Sequence, residues 1–143
     1  MRIAHVITRL IVGGAQENTV SSVLGLNKKK DITIRLYSGP TNGPEGSLES
    51  DFESFSDLLH IVPRLTRPIN PISDYLAYLN LIREFKKFRP DIVHTHSGKA
   101  GFIGRLAAKR KPKHKKLFIP SMDLHSELIK ARSQMHYLEK LNK

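Results

Sequence analysis

Short hydrophobic runs and regularly spaced hydrophobic positions alternate along the first three quarters of the chain. The runs are rich in β-branched residues, which is typical of buried strands. Between them, apolar residues three and four positions apart favour helices. Strands that alternate with helices indicate an α/β domain with a parallel sheet. The predicted strands lie at 3–8, 31–38, 61–62 and 91–97, and the predicted helices at 15–26, 73–88 and 98–109.

The spacing also predicts which residues of the last two helices face the core. Ser73 is the predicted N-cap of the helix over 73–88, because a serine hydroxyl accepts a hydrogen bond from a free backbone N–H at a helix start. The segment 45–57 holds five acidic and no basic residues, and we interpret it as a loop or a short surface helix. The predicted buried positions are Leu76, Leu79, Ile82, Phe85 and Phe88 in one helix and Phe102, Ile103, Leu106 and Ala107 in the other.

Composition narrows the class of protein. A chain of 143 residues with 39% hydrophobic and 26% charged residues is expected to form one globular domain. The absence of cysteine excludes a disulfide scaffold, a thiol nucleophile and an iron–sulfur cluster. No apolar run approaches the roughly 20 residues of a membrane span, and the first residues lack the order of a signal peptide. We therefore expect a cytoplasmic protein, with any membrane contact confined to its surface.

The net charge of +11 is distributed unevenly. Residues 1–108 carry a net charge of +4, whereas residues 109–143 carry +7. Six of the eight residues at 109–116 are lysine or arginine, a pattern that suits nucleic acid, an anionic membrane or a solvated connection. Because no aromatic residues are interleaved with this run, we favour the solvated connection and do not expect nucleic-acid binding.

A glycine pair separates the first predicted strand from the first predicted helix. Gly13 and Gly14 let the backbone approach a ligand closely, and a helix start offers free N–H groups and a partial positive charge. This arrangement is typical of a phosphate site, although the spacing matches neither the dinucleotide fingerprint nor the Walker loop. A tight turn into the helix explains the pair equally well.

Two histidines end the predicted strand at 91–97. His94 and His96 are two residues apart, so they share one face of the strand, at the edge of the sheet where ligands bind. No third ligand is visible near them in the sequence, and we therefore expect no metal site. One histidine packed in the core beside an ordinary polar one is the alternative. A neutral imidazole can also hydrogen-bond a sugar hydroxyl or a phosphate.

Three stretches together resemble one enzyme family. They are RIAHVITRLIVGGAQENT at 2–19, RPINP at 67–71 and RPDIVHTHSGKAG at 89–101. The set is similar to the N-terminal, acceptor-side domain of the retaining glycosyltransferases of family 4, and the similarity covers residues 1–110. The resemblance implies a Rossmann-like parallel sheet with flanking helices, which is one half of a GT-B fold. It implies a nucleotide-sugar as co-substrate, a glycan or lipid-linked acceptor, and no cofactor or metal.

The resemblance also implies roles for individual residues. Gly13 and Gly14 would contact the diphosphate of the donor, and His96 would act in catalysis by contacting the transferred sugar. Gln16, His94 and Lys99 lie in the matching stretches and are expected to bind substrate. We therefore predict hexosyl transfer from a nucleotide-sugar as the function of the family to which the sequence is similar.

The end of the chain departs from that family. The sequence predicts a glycosyltransferase-like domain at 1–116 and an atypical tail at 117–143. After the basic run, the family is expected to have a His-Thr-x-His-Gly-like segment. If the codons for residues 118–123 are read one nucleotide earlier, codon degeneracy permits such a segment. We hypothesise that the reading frame changes near residue 116. The alternative is a short homologue with its own helix over 123–141, and the nucleotide sequence distinguishes the two.

A complete donor domain does not fit within 143 residues. We therefore expect an N-terminal fragment that has no transfer activity by itself. One alternative is a non-catalytic acceptor-binding module that works with a separate donor-domain chain. The other, which we do not favour, is a basic nucleic-acid-binding protein acting through residues 109–116.

Overall fold

The computed structural model describes residues 1–110 in full and residues 117–120 as backbone. Its elements follow the predicted alternation of strands and helices. In chain order they are β1 (Arg2–Ile7), α1 (Gly14–Asn27), β2 (Thr33–Ser38), a 3-10 helix (Glu49–Phe55), β3 (Leu59–Ile61), α2 (Pro71–Phe88), β4 (Ile92–Thr95), α3 (Gly98–Lys109) and β5 (Leu117–Pro120).

The five strands form one parallel sheet in the order β3-β2-β1-β4-β5. This confirms the predicted α/β fold class with a parallel, Rossmann-like sheet. The chain runs outward from β1 to β3 and then returns through α2 to place β4 on the other side of β1. The strand order therefore reverses between β1 and β4, and in parallel sheets the carboxyl ends of the strands at such a point are the usual place for a ligand.

The alternation of side chains along β1 divides the core into two layers. Ile3 and Ile7 point into the layer that also contains the buried residues of α1. Ala4 and Val6 point into the opposite layer, against α2 and α3. Since successive residues of a strand face opposite sides, a buried central strand must be apolar on both faces, as this one is from Ile3 to Ile7 apart from His5.

The helix α2 begins earlier than predicted and buries a different stripe. Asn70, not Ser73, is the N-cap, because the Asn70 side-chain oxygen accepts the Ser73 N–H at 3.0 Å and Pro71 opens the helix. Leu76 and Leu79 are each 42% exposed, so the predicted stripe was wrong at these positions. The residues that are buried are Ala77, Leu81, Phe85 and Phe88.

The helix α3 buries its smallest residues. Phe102 is 62% and Leu106 is 40% exposed, contrary to the prediction. The reason is close packing against the sheet: a methyl group at Gly104 would lie 2.9 Å from the Thr95 Cγ2 atom and 3.6 Å from Val6. At position 104 even a methyl group does not fit unless its neighbours shift. The buried residues are Ala100, Gly101, Ile103, Gly104 and Ala107.

The remaining predictions differ in how far the described residues test them. The acidic segment contains the short helix Glu49–Phe55, which is one of the two structures expected for it. The strand predicted at 61–62 lies at Leu59–Ile61. Residues 111–116 and 121–143, with the basic run beyond Arg110 and the alternative tail helix, lie outside the described residues, so the division at residue 116 stays a prediction. No described helix combines the length and apolar character needed to cross a membrane.

Candidate functional site

A cavity of about 630 Å³ opens at the carboxyl ends of β1 and β4. We call it the polar cavity, because six of the side chains that line it carry hydroxyl, amide or cationic groups. The loop after β1, the loop before α2 and the start of α3 form its walls. The lining residues are Ile7, Thr8, Arg9, Ile11, Gln16, Arg67, Ile69, Ser97, Gly98 and Lys99.

Two hydroxyl groups join the strand ends at this cavity. The Thr8 Oγ1 and Ser97 Oγ atoms lie 2.7 Å apart, a hydrogen bond in which either hydroxyl can donate. Ser97 has a φ of 70° and a ψ of 156°, a conformation that residues other than glycine rarely adopt. Backbone strain of this kind is concentrated at functional sites, where the surrounding structure holds it in place.

Two helices begin at this edge without a side-chain cap. Gly13, extended with a φ of 168°, precedes α1, and Ser97 precedes α3, and neither helix start receives a hydrogen bond from its N-cap side chain. In contrast, Asn70 caps α2. A methyl group placed on Gly14 would meet no atom within 4 Å, so the backbone there is open. The positive ends of two helix dipoles, with free N–H groups, thus meet at one edge, which favours an anion.

Two arginines add positive charge to the polar cavity. The Arg9 Nη1 atom lies 3.3 Å from the Glu45 Oε1 atom, and the Arg9 side chain is 19% exposed. Among the described residues, Arg67 has no carboxylate partner and is exposed. Because no described carboxylate pairs with it, Arg67 is the guanidinium that can bind a phosphate in the fork geometry.

A backbone hydrogen bond also ties the acidic segment to the loop after β1, because the Leu48 N–H donates to the Leu10 carbonyl at 2.8 Å.

Lys99 holds two walls of the cavity together. Its ammonium donates to the Thr66 carbonyl at 2.8 Å, to the Pro68 carbonyl and to the Asp74 Oδ1 atom at 2.6 Å. The ammonium group has three protons, and these partners can use all of them. Lys99 thus fastens α3 to α2 and to the loop that carries Arg67, and its contribution to substrate binding stays a prediction.

A histidine cluster lies at the same end of the sheet, formed by His5 of β1 with His94 and His96. His5 and His94 are register partners on adjacent strands. The His5 Nδ1 and His96 Nε2 atoms are 2.9 Å apart, and each residue has one ring nitrogen within 4.8 Å of those of the other two. The premise that no third ligand lies near His94 and His96 is therefore wrong. The third residue comes from a strand 89 positions earlier, which spacing along the chain could not reveal.

Burial keeps the histidine cluster uncharged. Desolvation lowers the pKa of His94 to about 4. Desolvation first, and then the nearby His94, lower the pKa of His96 to about 3. Desolvation and the two neighbouring histidines hold the pKa of His5 well below its usual value. Near neutral pH the three side chains are therefore neutral imidazoles, each with a lone pair on one nitrogen.

The structure separates the sequence-predicted site residues into three groups. Gln16 and Lys99 line the polar cavity, and Gly13 and Gly14 form the start of α1 beside it. His94 and His96 belong to the histidine cluster and are not among the residues that line the cavity. The sequence analysis did not single out the following residues of the site: His5, Thr8, Arg9, Arg67 and Ser97. All five lie within the family-like stretches, and this was the available signal.

A second depression of about 520 Å³ adjoins the polar cavity between α2 and α3. We call it the apolar groove. Phe102 and Tyr75 on its walls are 62% and 60% exposed, and Ile69 at its end is 88% exposed. Ile69 and Lys99 line both the groove and the polar cavity, so the two adjoin at these residues. The groove is lined by Ile69, Asp74, Tyr75, Tyr78, Lys99, Phe102, Ile103 and Leu106.

A parallel α/β domain with a cavity where the strand order reverses has the arrangement of a Rossmann-like fold. Residues 12–121 match the model of Glycosyltransferase Family 4, and the chain belongs to this family. The family resemblance seen in the sequence is thereby confirmed.

A curated relative is the UDP-Gal:alpha-D-GlcNAc-diphosphoundecaprenol alpha-1,3-galactosyltransferase of Escherichia coli. It is 35% identical over 111 residues, which cover 76% of this chain and 27% of the relative. The chain thus spans about a quarter of the length of the relative that it matches.

Solved structures confirm the fold. MurG from Acinetobacter baumannii superposes with a TM-score of 0.58 at 15% identity, over 83% of this chain and 33% of MurG. The UDP-GlcNAc 2-epimerase from Neisseria meningitidis gives 0.57 at 18% identity, over 83% of this chain and 32% of the epimerase. The described domain is accordingly one Rossmann-like half of a GT-B architecture.

Proposed function

We propose that this domain is the acceptor-side half of a glycosyltransferase that transfers a hexose from a nucleotide-sugar to a lipid-linked sugar diphosphate. The observation that supports it most strongly is that the polar cavity and the apolar groove adjoin and share two lining residues. An acceptor of this kind has a charged, hydroxyl-rich head and a long apolar tail. A site for it needs one polar and one apolar compartment in contact, and Ile69 and Lys99 lie where the two compartments meet.

The polar cavity suits the sugar and the diphosphates. Two uncapped helix starts and the guanidinium of Arg67 supply N–H donors and positive charge. The hydroxyls of Thr8 and Ser97 and the amide of Gln16 are groups that exchange hydrogen bonds with sugar hydroxyls. In this proposal the open backbone at Gly14 faces the donor diphosphate.

The apolar groove suits the lipid tail. Its walls carry exposed aromatic and aliphatic side chains, among them Tyr75, Phe102 and Leu106. Burial of such surface against an acyl or isoprenoid chain contributes about 25 cal/mol per Å². The name of the Escherichia coli relative specifies an acceptor linked to diphosphoundecaprenol. The proposal therefore places this face of α2 and α3 towards the membrane, with the protein bound peripherally.

The transfer step requires charge stabilisation. The bond between the anomeric carbon and the diphosphate oxygen breaks, a bond from the acceptor hydroxyl oxygen to the anomeric carbon forms, and the hydroxyl proton passes to the departing diphosphate. Negative charge develops on the departing nucleoside diphosphate, and pre-positioned N–H groups lower the barrier. We propose retention of the anomeric configuration without a metal or cofactor at the diphosphate. We also propose that His96 positions the transferred sugar indirectly, through the adjacent Ser97, because His96 itself does not line the polar cavity.

A second domain must hold the donor. The described residues form one domain, and the matching part of the Escherichia coli relative is 27% of its length. We therefore propose that the 143-residue chain binds acceptor but does not turn over unless a donor-holding domain is supplied. Transfer by the purified chain alone with a nucleotide-sugar would contradict this part of the proposal.

Mapping of ligand contacts by NMR tests the acceptor site. The isotope-labelled chain is titrated with a GlcNAc-diphosphate that carries a long alkyl chain, and in parallel with the same head group without the alkyl chain. We expect both to shift the amide signals of residues 8–16 and 97–99, and only the alkylated compound to shift those of residues 102–106. Shifts elsewhere on the domain, or no difference between the two compounds, would refute the assignment of the two compartments.

A further inference from the structure

The histidine cluster holds buried nitrogen atoms that have no partner. His5 is fully buried and His94 is 2% exposed. The Nε2 atom of His5 and both ring nitrogens of His94 make no hydrogen bond. Buried polar atoms in proteins are almost always paired, so the two unpaired nitrogens of His94 require an explanation such as a water or an ion.

The three rings are also close together. Ring centroids lie 4.9 Å apart for His5 and His94, 5.1 Å for His5 and His96, and 4.1 Å for His94 and His96. The backbone fixes these positions. The sheet pairs His5 of β1 with His94 of β4, and the N–H of His96, the residue after β4, donates to the Val6 carbonyl at 2.7 Å. The cluster is therefore preformed by rigid backbone and does not depend on a loop.

We propose that His5, His94 and His96 bind a divalent transition-metal ion, with zinc as the best-fitting one, through one nitrogen each. Tetrahedral zinc with bonds of about 2.0–2.1 Å places its nitrogen ligands roughly 3.3 Å apart. The His5 Nδ1 and His96 Nε2 atoms, at 2.9 Å, are already near that separation, and the third nitrogen lies within 4.8 Å. Small ring rotations close the remaining gap.

The ligand chemistry favours zinc over harder cations. Imidazole nitrogen is a preferred ligand of Zn²⁺, Cu²⁺ and Ni²⁺, whereas Mg²⁺ and Ca²⁺ prefer oxygen. Three histidines with a fourth position for water form a known type of open zinc site. The site supplies no carboxylate, so the bound ion keeps its charge.

The position of the ion gives it a structural role. It cross-links β1 and β4 at the end where the strand order reverses, and His96 directly precedes Ser97, which lines the polar cavity. The ion would fix the floor of that cavity and add positive charge beneath it. This role does not depend on the proposed transferase activity, and it is compatible with a transfer step that needs no metal at the diphosphate.

Zinc titration of the untagged, chelator-treated 143-residue chain tests the proposal. We expect one equivalent of Zn²⁺ to bind, with a thermal midpoint raised by about 10 °C at a hundredfold excess over Kd. Co²⁺ in place of zinc should give the intense visible absorption of a tetrahedral site. His94→Gln should weaken zinc binding at least about 100-fold. Loss of a residue that only hydrogen-bonds a metal ligand already weakens binding about 10–100-fold, and loss of a ligand itself should cost more.

Two control variants locate the bound ion. His60→Gln removes a half-buried histidine outside the cluster and should leave zinc binding unchanged. The chain has three further histidines beyond the fully described range, and their joint replacement by glutamine should also leave it unchanged: His114, His125 and His136. Loss of binding in either control would refute the proposal.

The wild-type protein alone also decides the question. Absence of stoichiometric zinc and of the tetrahedral Co²⁺ spectrum would show that the cluster binds no metal, and would overturn the proposal. If circular dichroism shows that His94→Gln does not fold, His96→Gln takes its place, since His96 is only half-buried. A folded variant that binds zinc as tightly as the wild type would contradict the assignment.

Discussion

The hydroxyl groups of Thr8 and Ser97 lie 2.7 Å apart and join the loops that follow β1 and β4. These loops belong to parts of the chain 89 residues apart, and they form the floor of the polar cavity. The contact therefore couples the stability of the two strand ends to the shape of the site.

Removal of this contact should have a measurable cost. We expect the double-mutant cycle of Thr8→Val and Ser97→Ala to give a coupling energy of about 1 kcal/mol in the free energy of unfolding, as for a typical side-chain hydrogen bond. Urea unfolding of the four proteins measures it. Additive effects of the two substitutions, within about 0.3 kcal/mol, would show that the hydroxyls do not interact in solution.

Substitutions at two open glycines of α1 distinguish an effect on ligand binding from an effect on helix stability. A methyl group at Gly14 or at Gly25 would meet no atom within 4 Å. Alanine at either position should therefore stabilise the fold by up to about 1 kcal/mol. Only Gly14 lies at the proposed diphosphate site, so Gly14→Ala should weaken the binding of UDP severalfold, while Gly25→Ala should not. Equal UDP affinities in the two folded variants, measured by NMR titration, would remove Gly14 from the binding site.

Two buried glycines of α3 test the close packing of this helix. A methyl group at Gly104 would lie 2.9 Å from the Thr95 Cγ2 atom, whereas at Gly101 the nearest atoms are 3.7 Å away. We expect Gly104→Ala to lower the free energy of unfolding by about 1–3 kcal/mol, as overpacking usually does. Gly101→Ala should be neutral or slightly stabilising. Chemical denaturation compares the pair, and an equal effect of both substitutions would contradict the described packing.

The buried imidazoles predict acid sensitivity of the metal-free protein. In the unfolded chain histidines take up protons near pH 6.5, whereas folded His94 and His96 remain neutral down to about pH 4 and about pH 3. The unfolded state therefore binds more protons, and stability is lost as the pH falls from about 6.5 towards 4. At about pH 5 the loss is on the order of 2 kcal/mol for each residue. Urea unfolding at a series of pH values, in the presence of a chelator, measures this loss of stability. NMR titration of the two imidazoles near pH 6.5 in the folded state would contradict the prediction.

The alternation of elements could be predicted from the sequence, but the faces of the helices could not. Large apolar residues such as Leu79 and Phe102 suggested a buried stripe, whereas the structure buries Ala77 and Gly104. Small residues are buried there because α2 and α3 pack closely on the sheet and on one another. Periodicity identifies a helix, and it does not specify how closely a neighbour approaches.

Only part of the site could be predicted, because some of its residues are brought together by the strand order and not by a local sequence pattern. Gly14, Gln16 and Lys99 follow strands that the sequence reveals, and parallel strands bring their carboxyl ends to one edge. His5 occupies a buried position in the middle of β1, and only the pairing of β1 with β4 places it beside His94. Strand order is a property of the whole fold, and no local pattern encodes it.

The proposed function requires one amphiphilic acceptor to occupy the polar cavity and the apolar groove together. Leu106 in the groove and Leu79 outside it are 40% and 42% exposed, so they form a matched pair on the surface of α2 and α3. The decisive measurement is the Kd of an alkylated GlcNAc-diphosphate for Leu106→Ser and for Leu79→Ser. The two-compartment acceptor site predicts a Kd raised about tenfold by the first substitution and unchanged by the second, because loss of a buried leucine contact costs about 1.5 kcal/mol. Equal affinities for the two folded variants would contradict it.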